Sequence, residues 1–142
     1  MEVKIRRIDK TLPLPKYETE GSVGFDLICR EDAIIDPHKI HLIPANVVVE
    51  TPKGYFLMIA LRSSTPRKHG LIIPQSIGIV DNDFCGNNDE LLLQVYNFTD
   101  RIIWISRGDR IAQGVFVKVN TAVWNEVDEM TEPSRGGFGS TD

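Results

Sequence analysis

Apolar and polar residues alternate with a period of two along most of this chain. Val3 and Ile5 sit between charged neighbours, which predicts a first strand over residues 2–8. The same pattern, rich in β-branched and aromatic residues, predicts strands over 40–43, 47–50, 55–61, 91–97, 102–105 and 111–117. Turn signals separate them: Asp36-Pro37, Thr51-Pro52-Lys53-Gly54, Asn87-Asn88-Asp89 and Arg107-Gly108-Asp109. No segment holds a helical i, i+3, i+4, i+7 pattern for three turns. The one helix candidate is a single turn over 64–69, where Pro66 suits a helix start better than an interior. The pattern predicts an all-β domain, either a barrel or a two-sheet sandwich.

Composition narrows the function classes. With 142 residues the chain has room for one domain with a core. A net charge of −4 argues against a general nucleic-acid binder, so no stable nucleic-acid partner is expected. No apolar run approaches the roughly 20 residues of a membrane helix, and residues 1–7 do not read as a signal peptide. Cys29 and Cys85 have no metal-binding spacing, and reduced thiols in a cytoplasmic protein are the expectation.

Five polar segments interrupt the strands. In Gly24-Phe25-Asp26-Leu27 a carboxylate stands among apolar residues, where burial without a partner is costly; a turn Asp capping backbone N–H groups accounts for it equally well. Arg62-Ser63-Ser64-Thr65-Pro66 sets a cation and hydroxyls at the helical turn, which fits either an anion site or an N-cap beside a solvated basic surface. Asp81 and Asp83 follow the apolar pair Ile79-Val80; such carboxylates can order a metal or activate water, yet Asp-Asn-Asp is also a good turn. In Gly108-Asp109-Arg110-Ile111-Ala112-Gln113, Arg110 and Gln113 straddle a strand start, and a surface salt bridge would account for Arg110. The last segment, Ser134-Arg135-Gly136-Gly137-Phe138-Gly139-Ser140-Thr141-Asp142, can wrap a ligand: glycines admit close N–H approach, Arg135 and two hydroxyls suit phosphates, and Phe138 offers a stacking face. A frayed terminus has the same composition.

Taken in order, these five segments resemble the five motifs of the trimeric dUTP pyrophosphatase (dUTPase) family. The most specific pieces are Arg-Ser-Ser at 62–64, Gly-Asp-Arg-Ile-Ala-Gln at 108–113 and the terminal Gly-Phe-Gly-Ser-Thr. The resemblance implies a distorted, jelly-roll-like β-barrel over residues 1–130, with a flexible arm over 131–142 that swaps between the subunits of a homotrimer. It implies hydrolysis of dUTP to dUMP and pyrophosphate with Mg²⁺, by water attack on the α-phosphorus at sites shared between subunits. This reaction clears dUTP from the nucleotide pool and supplies dUMP for thymidylate synthesis. Asp81 would orient and deprotonate the water, and Asp26 would hold hydrated Mg²⁺. Ser63, Ser64 and Gln113 would donate to phosphate oxygens, with Arg62, Arg110 and Arg135 around the same substrate. A hairpin over 77–84, with Ile77, Gly78 and Val80, would read the uracil edge through its backbone, Phe84 would pack against the deoxyribose, and Gln75 would stand beside the base. Phe138 would stack on the base, with Gly139, Ser140 and Thr141 at the phosphates.

Several positions depart from the family pattern. Phe84 stands where Tyr is usual, and Gln75 where many bacterial members carry Asn. Asn87-Asn88-Asp89 are extra residues, the spacing from Arg135 to Phe138 is short, and Asp142 replaces a glycine. Three other functions compete with this one. A dCTP deaminase, or a bifunctional deaminase and dUTPase, shares the fold, but its catalytic Glu corresponds here to Gln94, an amide that cannot shuttle a proton. A catalytically reduced nucleotide-sensing module would not need the retained Asp26, Ser63, Asp81, Gln113 and Phe138. Broader triphosphate hydrolysis is favoured only by Gln75 and Phe84. Ordering the tail costs about 1–2 kcal/mol per residue, against about 1–3 from one stacked base. The tail is therefore expected to order only over a bound triphosphate.

Overall fold

A computed structural model describes residues 1–141; Asp142 lies outside the described residues. Eleven strands and one short helix follow in the order β1 (Ile5–Arg7), β2 (Phe25–Leu27), β3 (Ala33–Ile35), β4 (Ile40–Pro44), β5 (Val47–Val49), β6 (Tyr55–Leu61), α1 (Thr65–His69), β7 (Leu71–Ile72), β8 (Gly78–Val80), β9 (Leu92–Asn97), β10 (Ile103–Ile105) and β11 (Ala112–Lys118) among the described residues. All paired strands are antiparallel. They form a four-stranded sheet in the order β2-β11-β6-β8, a three-stranded sheet β4-β9-β7, and the two-stranded ribbons β1-β5 and β3-β10.

The expected barrel does not close. Most strands run only two to five residues, so each ladder ends at a turn before its sheet can curl round. What unifies the sheets is a shared core. Leu27, Ile35, Ile43, Leu57, Leu93 and Ile105 come from the two larger sheets and the β3-β10 ribbon and are fully buried together. Each contributes about 1.5–3 kcal/mol by leaving water. In β9 the period of two is clean: Leu93, Val95 and Asn97 point inward, whereas Gln94 and Tyr96 are partly exposed. The buried Asn97 amide donates to the carbonyls of Ile35 (3.0 Å) and Arg101 (2.7 Å) and accepts from Thr99 N–H (2.9 Å). That satisfied network ties the β9 end to the β3-β10 ribbon.

The local rules place the helix where the sequence predicts it. Pro66 stands in the first turn, and Gly70 ends the helix in the left-handed region (φ 66°), its N–H donating to the Pro66 carbonyl at 3.0 Å. The segment expected as a hairpin around 77–84 differs. Gly78–Val80 forms β8, which pairs with β6, and Asp81 then enters a turn closed by Phe84 N–H on the Asp81 carbonyl at 3.3 Å. The extra residues close their own tip, where Gly86 N–H donates to Asp89 Oδ2 at 2.7 Å. After β11 every described residue through Thr141 is exposed. Among the described residues no helix is long and apolar enough to cross a membrane.

Candidate active site

The four-stranded sheet sets one group of functional side chains in a row. Across it, Gln113 of β11 faces Asp26 of β2 on one side and Ala60 of β6 on the other. Asp26 is 92% buried in a strand whose three residues are all buried, which removes the turn-cap account of this residue. A side chain at Gly24 would run into Gln113 Oε1, so the absent Cβ is what lets Gln113 lie across the start of β2. The amide of Gln113 donates to the Leu61 carbonyl at 3.2 Å.

Two guanidiniums close on the Asp26 carboxylate. Arg62 Nε lies 3.2 Å from Oδ1, and Arg110 Nη1 lies 3.4 Å from Oδ2. Oδ2 is fully buried and has no hydrogen-bond partner. Arg62 and Arg110 are held to each other as well, by Arg62 Nη1 on the Arg110 carbonyl at 3.4 Å and by Arg62 N–H on the Ile111 carbonyl at 2.9 Å. Ser63 and Ser64 follow directly. Ser64 occupies the cap position of α1, yet its hydroxyl makes no cap bond and remains available to a ligand. Positive charge, hydroxyl donors and an amide thus converge where phosphate oxygens can be held.

Thr65 is a positioning residue that sequence reading passed over. Its buried Oγ1 donates to the Ile111 carbonyl at 2.6 Å and fastens the Arg-Ser-Ser run to the start of β11. No local pattern signals this, because the partner is 46 residues away. Glu18 was also missed; it accepts from Arg110 Nη1 at 2.7 Å. Nearby, Cys29 N–H donates to the Asp109 carbonyl and Gly108 N–H to the Cys29 carbonyl, each at 2.8 Å, fixing the turn before Arg110. Burial, and then the Asp109 charge, push the Cys29 thiol up to about 12. It is a packing residue, not a nucleophile.

Asp81 and Phe84 belong to a different place. They line a cleft of about 250 Å³ with Ile59, Val80, Glu90 and Leu92. Both are exposed at its mouth, next to Ile77, Gly78 and Val80. Glu90 braces the floor, accepting two hydrogen bonds from Arg30 (2.8 and 3.0 Å) and one from Asn46 N–H (2.9 Å). Because β2 and β8 are opposite edges of the sheet, three inter-strand steps of about 4.8 Å separate the two clusters across it. The register adds an offset of about four residues along β6, on the order of 13 Å. Gln75 is exposed, and its Oε1 accepts from Gln94 Nε2 at 2.9 Å. The position that would need a glutamate for deamination therefore holds one half of an amide pair.

The tail joins neither cluster. Residues 134–141 are exposed, with Phe138 entirely in solvent and at positive φ (51°). The polar bonds of this segment are internal, Gly136 N–H to Ser134 Oγ at 3.2 Å and Ser140 N–H to the Gly137 carbonyl at 3.1 Å. Arg135, Phe138, Gly139, Ser140 and Thr141 are consequently not brought to Asp26 or Asp81 of their own chain.

Sequence comparison decides the family. The dUTPase family profile matches residues 10–142. The chain belongs to the dUTPase family. It is 39% identical to the deoxyuridine 5'-triphosphate nucleotidohydrolase of Helicobacter pylori strain Shi470, over 99% of this chain and 97% of that protein. The crystal structure of the dUTPase from Streptococcus mutans superposes with a TM-score of 0.77 at 32% identity, covering 84% of this chain and 98% of that one. The Staphylococcus bacteriophage 80alpha dUTPase shares the fold, with a TM-score of 0.85 at 23% identity over 98% of this chain and 97% of that one. These relationships give the dUTPase fold to a chain whose own sheets stay open.

Proposed function

We propose that this protein hydrolyses dUTP to dUMP and pyrophosphate, clearing dUTP and supplying dUMP for thymidylate synthesis in the cytoplasm. The observation that carries the reading is the row of Asp26, Arg62, Arg110 and Gln113 beside Ser63 and Ser64, built from three family motifs on adjacent strands. Arg62, Ser63, Ser64 and Gln113 hold the phosphate chain, and the guanidiniums offset charge that grows on the leaving pyrophosphate. Asp81 orients a water in line with the α-phosphorus and takes its proton as the new P–O bond forms and the bond from the α-phosphorus to the bridging oxygen of pyrophosphate breaks. The backbone of 77–80 reads the uracil edge, and the Phe84 ring packs where a ribose 2′-OH would intrude. Gln75, paired with Gln94, borders the base.

Asp26 fits a hydrated Mg²⁺. Its buried, unbonded Oδ2 is an oxygen acceptor of the kind that a hard cation prefers through its own water. Among the described residues no three His, Cys, Asp or Glu side chains cluster as a metal cage, so the triphosphate itself would supply the remaining ligands. The ion would neutralise phosphate charge; the water-activating chemistry stays with Asp81.

The reading includes a homotrimer with shared sites and a domain over 1–130 with an arm over 131–142. Separation of the two clusters on one chain supports it, since a second copy can set its Asp81 against the Asp26 row of the first. The exposure of Val123, Trp124 and Met130 at the end of the domain, and of Phe138 in the arm, supports a C-terminal stretch that finds its cover on a neighbour. The arm's Arg135, Phe138, Gly139, Ser140 and Thr141 would then close over base and phosphates. The decisive experiment compares pyrophosphate release from dUTP, dCTP, dTTP and UTP. Turnover dominated by dUTP is expected; ammonia release from dCTP at a matching rate would overturn the reading.

A further inference from the structure

Arg110 is shared unequally between two carboxylates. Its Nη1 lies 2.7 Å from Glu18 Oε1 but 3.4 Å from Asp26 Oδ2. A guanidinium beside a buried carboxylate ordinarily closes to about 2.8 Å, frequently with two parallel bonds. Here the nitrogen is turned outward instead, and Asp26 Oδ2 keeps no hydrogen bond although it is fully buried. Glu18 is placed for this by its own loop. The Lys16 carbonyl accepts from Asp26 N–H at 3.4 Å, Tyr17 packs edge-on against Phe25 at 5.7 Å, and a Thr19–Ser22 turn follows. Lys16 Nζ, 3.6 Å from Glu18 Oε2, steadies the other oxygen.

We propose that Glu18 is a positioning residue: by drawing Arg110 outward, it keeps that guanidinium from closing a hydrogen bond on the buried inner oxygen of Asp26 and leaves the oxygen as an acceptor for the water shell of a divalent cation. The inference rests on the role given above to Asp26. Without the Glu18 charge, Arg110 turns inward and pairs with Asp26. The carboxylate is then occupied, and a positive charge stands where the cation would bind. Glu18 acts through Arg110.

The test is calorimetric binding of a non-hydrolysable imido analogue of dUTP, with Mg²⁺ and with EDTA, to the wild type, Glu18→Gln, Asp26→Asn and the double variant. The wild type is expected to gain affinity from Mg²⁺. In Glu18→Gln that gain shrinks about tenfold, the scale typical of lost outer-shell partners. Affinity in EDTA is unchanged, and Glu18→Gln has no further effect in the Asp26→Asn background. A full Mg²⁺ gain in Glu18→Gln, an equal loss in EDTA, or an additive loss in the double variant would each overturn the proposal. Failure of the wild type to bind the analogue in either buffer would instead remove the dUTP reading on which it stands.

Discussion

The two halves of the candidate active site are built in opposite ways. Asp26 and Gln113 sit on the paired strands β2 and β11, Arg62 follows directly on β6 and Arg110 stands just before β11, so backbone ladders and the core set their geometry. Asp81, Phe84 and residues 134–141 sit on turns and an exposed tail. Phosphate binding benefits from donors fixed in advance, because no ordering cost falls on the bound state. Water activation and closure over the base need groups that become confined only when the site is complete. The contrast predicts that changes in the loop-built half alter turnover without stability, whereas changes in the ladder-built half alter both.

The largest effect is expected at Asp81. Asp81→Asn should lower kcat by about 10²–10⁴ while analogue affinity and melting temperature stay near wild type. Full activity in that variant would remove the water-activating role. Deleting residues 134–142 should come next, cutting turnover by roughly a hundredfold through lost positioning. Circular dichroism should show an unchanged melting curve; unfolding would mean that the tail belongs to the core. In the ladder-built half, Gly114→Ala on β11 forces a Cβ into the buried Phe25 ring and should cost about 1–3 kcal/mol in denaturant unfolding, with turnover falling in parallel. A variant that lost activity at full stability would break the contrast.

The smallest predicted effect lies outside both halves. Hydrogen bonds from Arg107 and Thr11 hold the Asp9 carboxyl well below the usual carboxylate range. A lowered folded-state value means that the ionised group stabilises the fold above the ordinary aspartate value of about 3.9 and loses that contribution as pH falls below it. Asp9→Asn should therefore melt slightly below wild type at pH 7, and the gap should close in acid. A gap that did not narrow between pH 7 and pH 2 would place the effect elsewhere.

Long strands were legible in the sequence because β-branched and aromatic residues repeat through them, as in Tyr55–Leu61 and the 91–97 run. Phe25–Leu27, Ala33–Ile35 and Gly78–Val80 were not legible as strands. Three residues cannot display a period, and Phe25–Leu27 is buried throughout, which removes alternation altogether. Closure failed as an expectation for a related reason, since strand composition does not report where each ladder stops. The residue types at 26, 62–64, 81, 108–113 and 134–141 pointed to phosphate chemistry through their order along the chain. Thr65 and Glu18 gave no such sign; their partners, Ile111 and Arg110, are distant in sequence, and only folding makes their chemistry visible.

The opposite-edge placement of Asp26 and Asp81 has a genetic consequence. If sites are completed between copies, the two carboxylates of one working site come from different polypeptides. Chains carrying Asp26→Asn and chains carrying Asp81→Asn, each inactive alone, would complement when mixed, because some interfaces would pair an intact Asp26 row with an intact Asp81. A cell holding both alleles would keep part of its activity, and dilution of one allele by the other would follow interface statistics rather than chain number.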